Sequence, residues 1–278
     1  MIELKGKPVA DQIDQKIISA MLNRSGHRPH LTVVLVGNDG ASQVYVQHKQ
    51  KACKKLGFES NLVQLPADVS EKDLTFELHK LNNDLTVDAI LLQLPLPPHL
   101  DPKRFTELIR PEKDADALTS ASLGKLLTGQ HLVASCTPAG IIEILKFYEI
   151  DVARKNVLVI GRSQIVGLPL FHLLNQLNAT VTLAHSKTSE LKKLILQFDF
   201  VFVAVGKAHF LKSSDFKKGA VVIDVGIHRL PTGLTGDVDP EGAAGHLAAL
   251  TPVPGGVGPM TIAMLMQNTF TLAEKKRA

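Results

Sequence analysis

The chain has 278 residues, 45% of them hydrophobic and 21% charged, and a formal net charge of +4. That is the balance of a soluble globular protein and excludes a disordered tail, a collagen and a coiled coil. No uninterrupted apolar run approaches the ~20 residues of a membrane helix. With no Trp and two Tyr, the chain offers few platforms for stacked bases, and no nucleic-acid partner is expected.

Two cysteines, Cys53 and Cys136, imply no disulfide framework and make a reducing cytosol the default. Met1–Lys5 carries no signal pattern. The basic run Lys275-Lys276-Arg277 reads as a solvated helix end. His27 and His30 stand outside a His-Glu-x-x-His frame, so no metal is expected.

In chain order, Leu31–Val36 predicts a buried strand and Ala41–Leu56 a helix. Phe58–Leu65, Glu71–Leu81 and Asp88–Leu94 continue as strand, helix and strand. This repetition predicts a parallel sheet with helices on both faces. Asp114–Pro138 has no clean period, and Pro138–Glu149 reads as a connecting helix. A second series follows. Strand Asn156–Ile160, helix Val166–Gln176, strand Thr180–Ala184 and helix Thr188–Leu196 precede strands Phe200–Val205 and Ala220–Val225. The glycine- and proline-rich Thr251–Gly258 leads into a last helix, Pro259–Glu274. If that helix packs back on the first domain, the second is an insertion. The fold class is then α/β with two α/β domains, residues 1–138 with 259–278 and an inserted Rossmann-type domain at 139–258.

Asn156–Leu170 (NVLVIGRSQIVGLPL) takes a strand into Gly161 and a helix from near Gly167. Such a corner suits a dinucleotide, because glycine permits the tight turn and helix-start N–H groups attract pyrophosphate. The spacing departs from G-x-G-x-x-G, and a ligand-free corner reads the same way locally. The next strand ends in His185-Ser186-Lys187-Thr188, with no carboxylate before Glu190. A hydroxyl and cations, Arg162 among them, favour NADP over NAD; the alternative is that Arg162 and Lys187 only meet solvent.

On the helix Ala41–Leu56, a 100° projection puts Ser42, Tyr45, Lys49, Ala52, Cys53 and Leu56 on one stripe. A covered Lys49 loses hydration of its charged form, which lowers its pKa and makes it a candidate general base. A snorkelling lysine at a core edge is the other reading. Gln93 ends the strand Asp88–Leu94, where ligands of doubly wound folds sit. Asp114 and Asp116 offer carboxylates to a ring bearing N–H donors, or form a charged turn. Thr251–Thr261 (TPVPGGVGPMT) exposes bare backbone for a flat ligand, or serves as a hinge.

Taken together, VGNDGASQVYVQHKQKACKKLGF, ILLQLPLP, KDAD, VIGRSQIVGLPL, TVTLAHSKT, GDVD and TPVPGGVGPMT resemble the bifunctional methylenetetrahydrofolate dehydrogenase/methenyltetrahydrofolate cyclohydrolase family. The resemblance implies a folate domain completed by the C-terminal helix, an inserted NADP-binding Rossmann domain, a cleft between them and a homodimer. By matching position it implies Lys49 as catalytic lysine, Tyr45 as active-site tyrosine, Gln93 as the lysine's partner and Asp116 as the pterin's anchor. Ser42 belongs to the same motif. Gly161, Arg162 and Ser163 match the cofactor loop, Ser186 a 2′-phosphate contact and Ile227 a main-chain contact near the nicotinamide. Pro254, Gly255 and Gly258 match the loop lining the folate site. Ala117 stands where the family has glycine, Leu168 where lysine is common, Ser135 where proline is and His228 where asparagine is. Two readings compete: an NADP-dependent dehydrogenase of another small substrate, and a module that binds NADP without turnover.

Overall fold

A strand as apolar as Leu31–Val36 needs cover on both faces, and in the computed structural model every residue of His30–Val36 is buried. The structure describes residues 1–22, 26–231 and 233–276; Arg277 of the terminal basic run lies outside them. The elements begin β1 (Ile2–Glu3), α1 (Gly6–Leu22), β2 (His30–Val36), α2 (Gly40–Leu56), β3 (Glu59–Leu65), α3 (Glu71–Asn83) and β4 (Ala89–Leu92). Next come α4 (Pro102–Thr106), α5 (Ser120–Leu127), α6 (Cys136–Phe147), β5 (Asn156–Ile160), α7 (Gly167–Gln176), β6 (Thr180–Ala184), α8 (Leu191–Ile195) and β7 (Phe200–Val203). The chain closes with β8 (Leu211–Lys212), β9 (Val221–Asp224), β10 (His228–Leu230), β11 (Gly233–Thr235), β12 (Val238–Asp239), β13 (Ala249–Leu250) and α9 (Val257–Lys275). Among the described residues no helix is long and apolar enough to cross a membrane.

Two compact units form, Ile13–Ala134 with Leu265–Ala278 and Met1–Gln12 with Ser135–Met264. The division falls inside α1 and α9. The first unit holds a three-stranded parallel sheet, β3-β2-β4. Central β2 is wholly buried, whereas β3 lies at the edge and alternates in exposure. Val34, Val36, Leu74, Leu78, Ile90 and Phe105 sit at the centre of its core. The second unit holds a six-stranded sheet, β1-β13-β9-β7-β5-β6, with every pairing parallel. Its first long strand, β5, lies between β6 and β7. The direction of winding therefore reverses between β5 and β7, and ligands of such sheets bind beyond the strand ends at that reversal. In the three-stranded sheet the same reversal falls between β2 and β4.

Several boundaries depart from the periodicity, for reasons of hydrogen bonding or backbone conformation. The strand expected over Asp88–Leu94 is only Ala89–Leu92, because Asp88 turns its carboxylate to the His30 N–H (3.0 Å) and to His27 Nε2 (2.7 Å). The strand expected to run to Val205 stops at Val203, because the Val205 N–H donates to Asp237 (2.7 Å). The helix expected from Thr188 begins at Leu191, after Glu190 at φ 51°. The aperiodic Asp114–Pro138 contains α5, capped by Thr119. The basic end is not simply solvated: Lys276 Nζ reaches the carbonyls of Leu85 and Val87 and the carboxylate of Asp88.

Candidate active site

Two clusters hold the candidate residues, one in each unit. In the three-stranded unit, α2 starts where Asp39 accepts the Ser42 N–H (2.8 Å) and stops at Gly57, whose φ of 72° suits a helix end without a Cβ. Hydrogen bonds from Ser42 hold the Asp39 carboxyl below its ordinary range. Ser42 is buried as part of this cap. Two turns on, Lys49 Nζ donates to Gln93 Oε1 at 2.7 Å. The Gln93 amide in turn donates to the Leu94 carbonyl (2.6 Å), and its backbone N–H to that of Val34 (2.9 Å). The glutamine at the end of β4 is thus fixed at both ends and aims its oxygen at the lysine. Lys49 and Gln93 are both half-buried.

The buried stripe of α2 departs from the projection at one position. Val46 is 1% exposed, and Tyr45 is 44% exposed. Tyr45 therefore offers its ring to solvent one turn before Lys49. Cys53, on the covered stripe, contacts Met266 Sδ (3.6 Å), and burial pushes its thiol up to about 12.

Asp114 and Asp116 part company. Asp114 is buried, and its carboxylate accepts from the backbone of Leu118 and Thr119 and from the Ser122 hydroxyl. Burial raises its pKa against those bonds. Its carboxylate thus ties together the turn that leads into α5, whose cap is Thr119. Asp116 remains half-buried on a loop laid along β4, where the Ala115 N–H meets the Ile90 carbonyl. Asn268, which the sequence did not single out, ties that loop down. Its amide donates to the carbonyls of Ala115 and Ala134, both at 2.9 Å.

In the six-stranded unit, Gly161 leaves β5 at φ 124°, and a Cβ there would lie 2.2 Å from the Ala204 carbonyl oxygen. A Cβ on Gly167 would lie 2.0 Å from the Gly161 oxygen. Both glycines are required by close backbone approach at the reversal between β5 and β7. Ser163 Oγ accepts from the N–H groups of Val166 (3.1 Å) and Gly167 (3.4 Å), which shapes the start of α7. Arg162 and Ser163 are exposed. Ile160 pairs with Ala184, so Ser186 and Lys187, both exposed, leave the neighbouring strand end beside them. Ile227 is exposed, and its Cδ1 lies 3.2 Å from where a Gly258 Cβ would stand. Pro254 is exposed and Gly255 takes φ 104°, with its carbonyl accepting the Gly6 N–H. A glycine cradle with cations and hydroxyls at two adjacent strand ends fits a phosphorylated dinucleotide.

The family model for the tetrahydrofolate dehydrogenase/cyclohydrolase catalytic domain matches residues 4–116, and that for its NAD(P)-binding domain matches residues 135–277. The chain belongs to the tetrahydrofolate dehydrogenase/cyclohydrolase family. It is 51% identical to the bifunctional protein FolD of Bdellovibrio bacteriovorus, covering 98% of this chain and 96% of the relative. The crystal structure of the bifunctional FolD from Campylobacter jejuni superposes with a TM-score of 0.95 at 40% identity, over 99% of each chain. The Trypanosoma brucei FolD, solved with NADP cofactor and an inhibitor, gives 0.93 at 35% identity, over 100% of this chain and 99% of that one.

Sequence reasoning missed the buried carboxylates that support the family's cofactor half here. Asp237 is fully buried and accepts the N–H groups of Val205, Gly206 and Lys207. His228 Nε2 lies 2.8 Å from the same carboxylate. Asp224 accepts from Gly226, Asp237 and Val238, and burial raises it to about 6. The one sequence signal was the motif Gly236-Asp237-Val238-Asp239.

Proposed function

We propose that the chain oxidises 5,10-methylenetetrahydrofolate to 5,10-methenyltetrahydrofolate with NADP and hydrolyses the product to 10-formyltetrahydrofolate. The observation that carries this reading is the 2.7 Å Lys49–Gln93 hydrogen bond at the end of β4, in a chain of this family. Oxidation requires alignment of two rings; NADP supplies the hydride acceptor, and the protein supplies orientation. On our reading Gly161, Arg162 and Ser163 hold the pyrophosphate, Ser186 the 2′-phosphate and Ile227 the nicotinamide end. Asp116 anchors the pterin, Tyr45 lies against the folate, and Ser42, Pro254, Gly255 and Gly258 complete its surroundings.

Hydrolysis requires a proton carrier. The methenyl carbon is cationic, so water adds through oxygen and sheds one proton. Lys49, held by Gln93, takes that proton from the water and returns it to N5 as the C–N5 bond breaks, while the remaining hydroxyl proton leaves to solvent and the formyl C=O forms. We assign the folate chemistry to the N-terminal domain and the dinucleotide to the inserted one. We further propose a homodimer, which light scattering at micromolar concentration would detect, in the reducing cytosol, consistent with the buried thiols of Cys53 and Cys136.

The test supplies methylenetetrahydrofolate and NADP and follows absorbance of reduced cofactor and of the methenyl compound together. Reduced cofactor should rise while the methenyl signal appears and decays. Absence of cofactor reduction would overturn the reading; a methenyl signal that accumulates without decay would remove its hydrolytic half.

A further inference from the structure

Away from the Lys49–Gln93 pair, the three-stranded unit contains a cavity of about 640 Å³. Its walls are the turn Pro111–Lys113, one side of α5, the segment Gln130–Val133 and the end of α9. Leu132, Val133 and Leu272 give it an apolar surface. Arg110, Lys113, Lys125, Lys275 and Lys276 also line it, and Glu112 is the one acid among the lining residues. So many cations around one concave apolar surface concentrate positive potential there.

Two buried groups sharpen the picture. Lys113 is 8% exposed, and its Nζ donates to the carbonyls of Leu81 (2.9 Å) and Asp84 (2.6 Å). Burial, then repulsion from Lys276, holds its pKa below the ordinary lysine range, against the pull of Asp84. Two of its three donors are engaged, and one is left. His131 lines the same cavity, and its Nδ1 is shielded from solvent without a hydrogen-bond partner among the described residues. A shielded polar atom of this kind costs stability unless a partner arrives.

We propose that this cavity is a second ligand site, which takes a small organic polyanion. Its carboxylate or phosphate groups pair with Lys125, Lys275 and the remaining donor of Lys113, and its apolar body lies on Leu132 and Leu272. This site is separate from the folate and dinucleotide clusters and does not rest on their assignment. Its loop also carries one residue of the folate cluster, since Lys113 stands three residues before Asp116.

The experiment uses the full chain saturated with NADP, so that added phosphate does not report on the dinucleotide cluster. Pyrophosphate and, separately, benzene-1,3,5-tricarboxylate are titrated while the ring signals of His131 are followed by NMR, assigned with His131→Gln. The two probes distinguish a phosphate head group from a carboxylate one. A saturable shift of His131 is expected with at least one probe below about 1 mM, weakened at least about tenfold in Lys125→Glu/Lys275→Glu. Both substituted lysines are exposed, so the double variant keeps its fold and its oxidation rate without probe. Failure of both probes to give a saturable shift, or equal binding by the double variant, would overturn the proposal.

Discussion

At the end of β4 the working groups are side chains, a lysine amine and a carboxamide 2.7 Å apart. At the end of β5 they are backbone, a turn so close-packed that two glycines have no room for a Cβ. The first arrangement tolerates changes of shape but not of chemistry. The second depends on shape, and buried Asp224 and Asp237 supply it by satisfying the N–H groups of its loops. Substitutions in the two regions should therefore fail differently.

The largest effect should come from Gly167→Ala. Its Cβ would meet backbone, which cannot give way as a flexible side chain would. A loss of about 3 kcal/mol is expected by denaturant titration, together with weakened NADP binding. An unchanged midpoint and affinity would break the contrast.

Asp224 gives the shape-dependent region a pH signature. Its folded pKa, about 6, lies above the ordinary carboxylate value of 3.8. The folded state thus holds the proton more tightly than the unfolded one. This contribution to stability is full below pH 3.8 and is lost as pH rises to about 6, an effect on the order of 3 kcal/mol. Stability of the wild type minus that of Asp224→Asn, measured from pH 4 to 7, should fall over this window and then level off. A flat difference would contradict the burial argument.

The chemistry-dependent region should respond through rate. Gln93→Leu keeps the volume but removes the acceptor of the Lys49 hydrogen bond. A bond to a charged group is worth about 2 kcal/mol, so hydrolysis of the methenyl compound should slow by about tenfold to a hundredfold. Oxidation should change less. Equal slowing of both steps would show that Gln93 only supports the fold.

The smallest effect concerns Ala117, a residue with a Cβ at φ 52°. Ala117→Gly relieves left-handed strain of about 1–2 kcal/mol and gives back up to about 1 kcal/mol through the freer unfolded chain. A rise of a degree or a few in Tm is expected by calorimetry, and a fall would mean that the loop holds alanine without strain.

The same contrast decides what the sequence made legible. β2, α2, β5 and α7 could be read because apolar runs, the covered stripe of α2 and the glycine at Gly161 are local signals. The Lys49–Gln93 pair was legible because Lys49 falls on the covered stripe of α2 and Gln93 follows an apolar strand at its C-terminal end, where ligands of such folds sit. The choice between Tyr45 and Val46 was not. Two stripes of α2 share Ser42, Lys49, Cys53 and Leu56, and the sheet beneath decides which of the two neighbours is covered. Asp114, Asp237 and Asn268 were illegible for another reason. Their partners are backbone groups, some more than a hundred residues away in the chain, and no local period encodes such a bond.

The account turns on Lys49 as the proton carrier of hydrolysis. Lys49→Met retains the length of the side chain and removes its proton, so both activities of one preparation should be measured side by side. Loss of hydrolysis by about a hundredfold or more, with oxidation reduced far less, is the predicted result. Hydrolysis at the wild-type rate would contradict it.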